Sequence, residues 1–355
     1  ITFVFGFAYE ATQANAISGV MQGTFDVPPA WTAVILILLT APVVFGGITV
    51  VARIAEWMAP IMAGLYALLA IVVLLLNAHA IPAALVSIFE GAFGLNQAFA
   101  GLAGGFTAAA LNGIKRGLFS NEAGEGSVPN AAATATVAHP VQQGFVQSLG
   151  VFVDTIVVCT ATALIVLLSG VYTPEGTLAM SENAAKDAAS TLTSSSVGAV
   201  LGGWTEYLMA AIIFVFAYSS LLGNYTYAEV NMDFLRGTGH RHYALRAMIV
   251  VATGIGAMAS LTFVWNLSDV AMGLMAIINI VAIVLLGKWA FGALADWEAQ
   301  KRLLDAGEIS EIRFVAEDNP HLPGELPGTV WSRADAGRIA PLTARGSDAG
   351  GADPA

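Results

Sequence analysis

Residues 113–140 read GIKRGLFSNEAGEGSVPNAAATATVAHP, and here an otherwise apolar chain stops behaving like a series of plain membrane helices. Lys115, Arg116, Glu122 and Glu125 fall among glycines and other small residues. An ionisable side chain at membrane depth is expensive and as a rule faces a protein interior or a water-filled cavity. Gly117, Gly124 and Gly126 each lower helix propensity by about 1 kcal/mol relative to alanine. The pattern predicts a helix that breaks within 113–127. Broken helices near the bilayer midplane present free backbone N–H and C=O groups to a substrate and a coupling cation. The alternative reading is a cytoplasmic loop between two helices, in which Lys115 and Arg116 are unremarkable.

Outward from this stretch the chain is built of apolar blocks. Trp31–Val51 and Met58–Asn77 each approach the roughly 20 residues that cross about 30 Å of hydrocarbon as a helix. Of the 355 residues, 57% are hydrophobic and 11% charged, and the mean hydropathy is +0.73, whereas soluble domains carry about 25% charged residues. The blocks do not alternate in polarity, which excludes a membrane β-barrel. Helices then satisfy the backbone in lipid. The expected fold class is all-α, a polytopic membrane protein. Spans are predicted near 1–21, 30–50, 57–77, a broken one within 95–138, then 142–169, 196–223, 243–264 and 268–292. After about residue 298 the sequence becomes charged and rich in Pro and Gly, ending GSDAGGADPA. Such composition buries too little apolar surface to fold alone. The expected division is a transmembrane core, 1–297, and a largely disordered cytoplasmic tail, 298–355. The chain opens at Ile1 inside an apolar stretch, so its true N-terminus is expected to be missing.

Basic residues orient the array, because cytoplasmic loops are enriched in Lys and Arg. Arg53 falls in one loop, Arg236, Arg241 and Arg246 in another, and Lys288, Lys301 and Arg302 mark the end of the last span. The opposite loops, 22–29, 78–82 and 171–195, contain only Lys186, and Glu182 with Lys186 suggests a short surface helix. The net charge of −11 comes mostly from the tail and the 175–187 loop and reads as solvation of exposed segments, not as a partner surface. The single cysteine, Cys159, excludes a disulfide framework and a CxxC site. No GxxxxGK[ST] is present, so no nucleotide site is expected, and nucleic acid is not an expected partner. No histidines pair at metal-ligand spacing within a span, which argues against a metalloenzyme.

The motif GIKRGLFSNEAGEGSVPNAAATA resembles the hallmark of the sodium:alanine symporter family. Further matches follow in order: QANAISG at 13–19, GGITVVARIAEWMAPIMAGLY at 46–66, QGFVQSLGVFVDTIVVCTATALI at 143–165 and FAYSSLLGNYTYAE at 216–229. The resemblance covers residues 1–292. It implies a LeuT-type bundle of two inverted five-helix repeats in which the first span here is core helix 3, the broken one core helix 6 and the last core helix 10. Core helices 1 and 2 are then absent, and the chain as given is expected not to transport. The resemblance further implies a bacterial inner (plasma) membrane location.

Gln13 and Asn15 lie two positions apart in an apolar span, off a common helix face. Buried amides of this kind either bond a neighbouring helix or face a cavity, and the resemblance implies that both bind substrate. In the broken segment it places Phe119, Ser120, Asn121, Gly124 and Gly126 at or beside the substrate, with Phe119 walling a pocket sized for alanine or glycine. Asn224 stands where some family members have tryptophan, and is grouped with the substrate residues. Ser219 and Ser220 are adjacent hydroxyls, and the resemblance implies a sodium site there. The ordinary role of such serines is a bond to a carbonyl one turn back. Glu122 reads as a structural acid paired with Lys115 or Arg116 ahead of a role in coupling, Asp154 with Thr155 as a helix-packing hydrogen bond ahead of a cation relay, Asp269 as interfacial or interhelical, and His139 as a turn residue before Pro140. Glu10 is a charge near the membrane interior that the family pattern does not require.

The expected function is sodium-coupled import of alanine or glycine by alternating access, with sodium as coupling ion and no cofactor. Alternatives are a proton-coupled amino acid permease and a non-transporting or truncated homologue. An intramembrane enzyme lacks support, because Ser120 and Glu122 have no visible base beside them.

Overall fold

A computed structural model describes residues 1–93, 99–173, 182–237, 242–336 and 342–343. The described residues are mostly helical, and the only strands among them are a two-residue antiparallel pair, Glu311–Ile312 with Leu342–Thr343. The all-α expectation therefore holds. A π-helical turn, Val4–Tyr9, leads into α1 (Glu10–Phe25), followed by α2 (Pro29–Gly46), α3 (Ile48–Leu76), α4 (Ile81–Phe93), α5 (Phe99–Asn121) and the short α6 (Val128–Ala132). Next come α7 (Pro140–Phe152), a second π-helical turn (Val153–Cys159), α8 (Thr160–Leu168), α9 (Glu182–Leu201) and α10 (Trp204–Arg236). The last helices are α11 (Tyr243–Met258), α12 (Leu261–Asp305) and the single-turn α13 (Arg333–Ala336).

Five described stretches are long and apolar enough to cross a membrane: Pro29–Gly46, Ile48–Leu76, Pro140–Leu168, Trp204–Arg236 and Leu261–Asp305. Their outward side chains include Val284 and Leu285, each 73% exposed, as expected of a surface solvated by lipid. Local rules set the ends. Pro29 opens α2, where its missing N–H costs nothing, and Gly47 at φ 90° separates α2 from α3. Gly202 at φ 101° separates α9 from α10, so the span predicted from 196 begins instead at Trp204. The predicted loop at 78–82 is a tight turn, Ala78–Ala80, running directly into α4. Pro82 in the first turn of α4 starts that helix where the reading of the sequence placed a connection. The helix around Lys186 exists as the start of α9, while the Glu182 and Lys186 side chains lie outside the described residues.

The chain divides into two compact units, residues 1–130 with 153–276, and residues 131–152 with 277–355. In the first, α1 is an interior helix: Ala14 and Ile17, like Phe5 and Ala8 before it, are 0% exposed. It packs on α11 through small residues, which let membrane helices approach closely. A Cβ added to Gly256 would lie 2.4 Å from the Ala11 Cα. Near the start of α11 the Arg246 guanidinium donates to both carboxylate oxygens of Glu229 and to the Phe45 carbonyl, at 3.0 Å from the last. Arg246 is thus a buried tie between α2, α10 and α11, not a free loop cation.

In the second unit His139 is fully buried, with Nε2 3.0 Å from Asp296 Oδ2, and its ring meets Trp297 and Phe314 edge-on. The Phe314 N–H donates to the Ala138 carbonyl, and Gln300 bonds the Arg313 backbone in both directions. Ile312 and Phe314 are at most 1% exposed, so residues after 298 contribute to this unit's core. Residues 337–341 and 344–355 of the segment read as a tail lie outside the described residues.

Gly256→Ala is expected to lower stability by about 1–3 kcal/mol through forced separation of α1 and α11. Thermal unfolding of the purified protein checks this, with Gly273→Ala as control, because nothing lies within 4 Å of a Cβ there.

Candidate functional site

The predicted helix break lies at Glu122–Ser127, between α5 and α6. Glu122 adopts φ 54°, Gly124 φ 89° and Gly126 φ 88°. Left-handed backbone costs a residue with a Cβ about 1–2 kcal/mol, so Gly124 and Gly126 avoid at their own positions the strain that Glu122 bears at its own. Side chains replace the lost helical bonds. Asn121 Oδ1 accepts the Ala123 N–H at 2.9 Å, and the Ser127 hydroxyl donates to Glu122 at 2.6 Å. Two further bonds fasten the end of α5 to the π-helical turn of 153–159: Ser120 donates to Asp154 at 2.5 Å, and the Asn121 amide to Thr155 at 2.8 Å. Asp154 and Thr155 therefore hold the break in place, and the packing role expected of them is what the geometry displays.

Glu125, 1% exposed, accepts the Tyr9 hydroxyl at 2.7 Å and leaves Oε1 buried without a partner. The Tyr9 ring meets Phe119 edge-on at 5.2 Å, and Phe119 lies 4.9 Å from Trp265. The Arg116 guanidinium covers Trp265 at 4.6 Å and ion-pairs with Asp269, which Lys115 also approaches at 3.7 Å. This corrects the expected pairing of Glu122: the cations of α5 go to α12, and Glu122 is held by Ser127. Asp269 is interhelical. Tyr9 and Trp265 carried no signal in the sequence, because aromatics in an apolar helix look the same whether they pack on lipid or on a site.

Asn15 lies elsewhere. Its amide donates to the Gly256 and Ala259 carbonyls at 3.0 and 2.8 Å, bridging the end of α11. It lines a cavity of about 560 Å³ together with Ser18, Gln22, Ser190, Ser260 and Thr262. The Ser18 hydroxyl is buried there without a partner. Gln13 is half-buried on another face of α1 and is not among the cavity's lining residues.

Asn224 is 4% exposed, beside the buried Glu10. The Ser219 hydroxyl donates to the Phe216 carbonyl at 2.8 Å, and Ser220 is exposed. The sequence-predicted residues thus fall into three places: the α5–α6 break with Phe119, Ser120, Asn121, Gly124 and Gly126; the cavity beside Asn15; and α10 with Ser219, Ser220 and Asn224.

The sequence profile of the sodium:alanine symporter family matches residues 1–310. Over 302 residues the chain is 38% identical to the amino-acid carrier protein AlsT of Bacillus subtilis, covering 85% of this chain and 62% of that one. It is likewise 38% identical to the probable sodium/glutamine symporter GlnT of the same organism, at 85% and 60% coverage. It is 38% identical over 275 residues to the sodium/alanine symporter AgcS of Methanococcus maripaludis, 77% of this chain and 58% of that one. The chain spans about three fifths of the length of these relatives.

Tyr9→Phe leaves both carboxyl oxygens of Glu125 without the hydroxyl and is expected to cost about 1–3 kcal/mol. Thermal unfolding measures that loss, and a variant that melts with the wild type would show the bond to be dispensable.

Proposed function

Because the chain belongs to the sodium:alanine symporter family, we propose that this protein is a sodium-coupled symporter that imports a small neutral amino acid, alanine or glycine, by alternating access. The observation that carries the reading is the helix break at Glu122–Ser127. It frees backbone groups within a helical unit and keeps them in place with side chains from two other elements, the π-helical turns of 4–9 and 153–159. A carboxylate and an ammonium group both find partners at such a break.

In this reading Phe119, Ser120, Asn121, Gly124 and Gly126 form one wall of the substrate site, with Gln13, Asn15 and Asn224 as further substrate contacts. The aromatic cover of Tyr9, Phe119 and Trp265 suits a small side chain. Ser219 and Ser220 supply hydroxyl oxygens, hard ligands fitted to sodium. The arrangement is of the LeuT type, with inverted repeats, in a plasma (inner) membrane and with the C-terminal segment cytoplasmic. Sodium and amino acid then tighten each other's binding to the same degree, as linkage requires.

Uptake of labelled alanine into proteoliposomes under an imposed sodium gradient, by the protein with core helices 1 and 2 supplied ahead of residue 1, tests this. Uptake is expected to follow sodium, and Ser219→Ala with Ser220→Ala to reduce it about tenfold for each 1.4 kcal/mol of cation binding lost. Uptake by a folded protein that is indifferent to sodium overturns sodium coupling, and absence of uptake overturns the transport reading.

A further inference from the structure

Glu10, at the start of α1, is a fully buried carboxyl of the first unit that the proposed machinery leaves unused, and its surroundings count protons. The residue is 0% exposed. Its Oε1 lies 2.8 Å from Thr253 Oγ1 on α11, and that same hydroxyl oxygen lies 2.9 Å from the Ile249 carbonyl. A threonine hydroxyl has one proton to donate. If Glu10 were ionised, Thr253 could satisfy the carboxylate or the carbonyl but not both. With a proton on Glu10, the acid donates to Thr253 Oγ1 and Thr253 donates to Ile249, and every short contact has its hydrogen.

Charge balance points the same way. An isolated carboxylate taken out of water requires a cation or several donors to offset its desolvation. Besides Thr253, the buried Glu10 carboxyl is met by the side-chain amide of Asn224, a neutral group that brings no charge to offset an ionised acid. The core shared by α1, α2, α10 and α11 includes Leu36, Leu221 and Ile249, each 0% exposed. No described cation forms an ion pair with Glu10. From α11, Arg246 is committed to Glu229 of α10 and to the Phe45 carbonyl at the end of α2. From α12, Asp269 is committed to Lys115 and Arg116, while Ser268 pairs with Thr12. From α10, the Tyr218 hydroxyl donates to the Leu39 carbonyl, and Tyr225 lies beside Arg246. Preceding α1, Tyr9 is bonded to Glu125. The α9 face meets α1 at Gly19 and Gly23 through Ser190 and Thr191, two turns or more from Glu10.

We propose that Glu10, enclosed by Thr253 and Asn224, is a proton-binding site occupied in this packed arrangement of α1, α10 and α11. The bound proton can leave only when these helices part far enough to admit water or a cation. Protonation of Glu10 and closure of the three helices are therefore linked, each favouring the other. A role for that linkage in driving transport rests on the symport reading above; the protonation state of Glu10 does not.

Infrared spectroscopy of the lipid-reconstituted protein at neutral pH reads the carboxylic acid C=O stretch directly. The wild type minus Glu10→Gln difference is expected to contain one protonated-acid band, and Thr253→Val, made in the wild-type background, to shift that band without removing it. Glu10→Gln supplies an amide donor to Thr253 in the same shape and is expected to melt with the wild type. A difference spectrum showing only a carboxylate band at this position overturns the proposal. Should Glu10→Gln fail to fold, the Thr253→Val shift decides: a protonated-acid band that does not move overturns it as well. Failure of sodium-driven alanine uptake leaves the band in place, so the two readings fail separately.

Discussion

The contact on which the rest of the first unit depends is the approach of α1 to α11 at Gly256, where no side chain can stand between the two backbones. Polar groups of α1 reach α11 only because the helices are this close. Asn15 spans from α1 to the Gly256 and Ala259 carbonyls, which α11 would otherwise leave open at its end. A turn and a half earlier Glu10 meets Thr253. One glycine thus sets the depth at which an amide closes a helix end and an acid enters an apolar core. Dispersion and hydrogen bonding, more than hydrophobic exclusion, hold helices together in lipid, and both fall off steeply with separation.

At the α5–α6 break, partners are sorted by charge. The cations of α5 are drawn to Asp269 on α12, whereas the two acids of the break are met by hydroxyls, Ser127 for Glu122 and Tyr9 for Glu125. Neutral donors satisfy an acid without fixing its charge. The break is therefore anchored at its flanks by Ser120 and Asn121 and remains free of strong ion pairs in its middle.

Much of this was legible in the sequence, for identifiable reasons. Long apolar blocks announce membrane helices, and a run such as NEAGEGS cannot continue a helix, so the all-α class and the place of the break could be read directly. Distant partners could not. Nothing local to Lys115 and Arg116 points to Asp269 some 150 residues on, since a cation bonds the nearest acid in space and not in sequence. Arg246 looked like a loop residue because its partner Glu229 belongs to the preceding helix. Phe314 was read within a polar, Pro- and Gly-rich stretch, and what buries it is the backbone at Ala138 together with His139 and Trp331. Composition averages over a window, and a single anchoring aromatic disappears in the mean.

Cys159 is the sole cysteine of the chain and is exposed, with its sulfur 3.3 Å from the Ser120 hydroxyl. The molecule therefore has a built-in chemical address at the end of α5. Within this chain a thiol-directed fluorophore or spin probe attaches at that one position, next to the hydroxyl that ties the break to its neighbour, so the opening of that seam has a reporter.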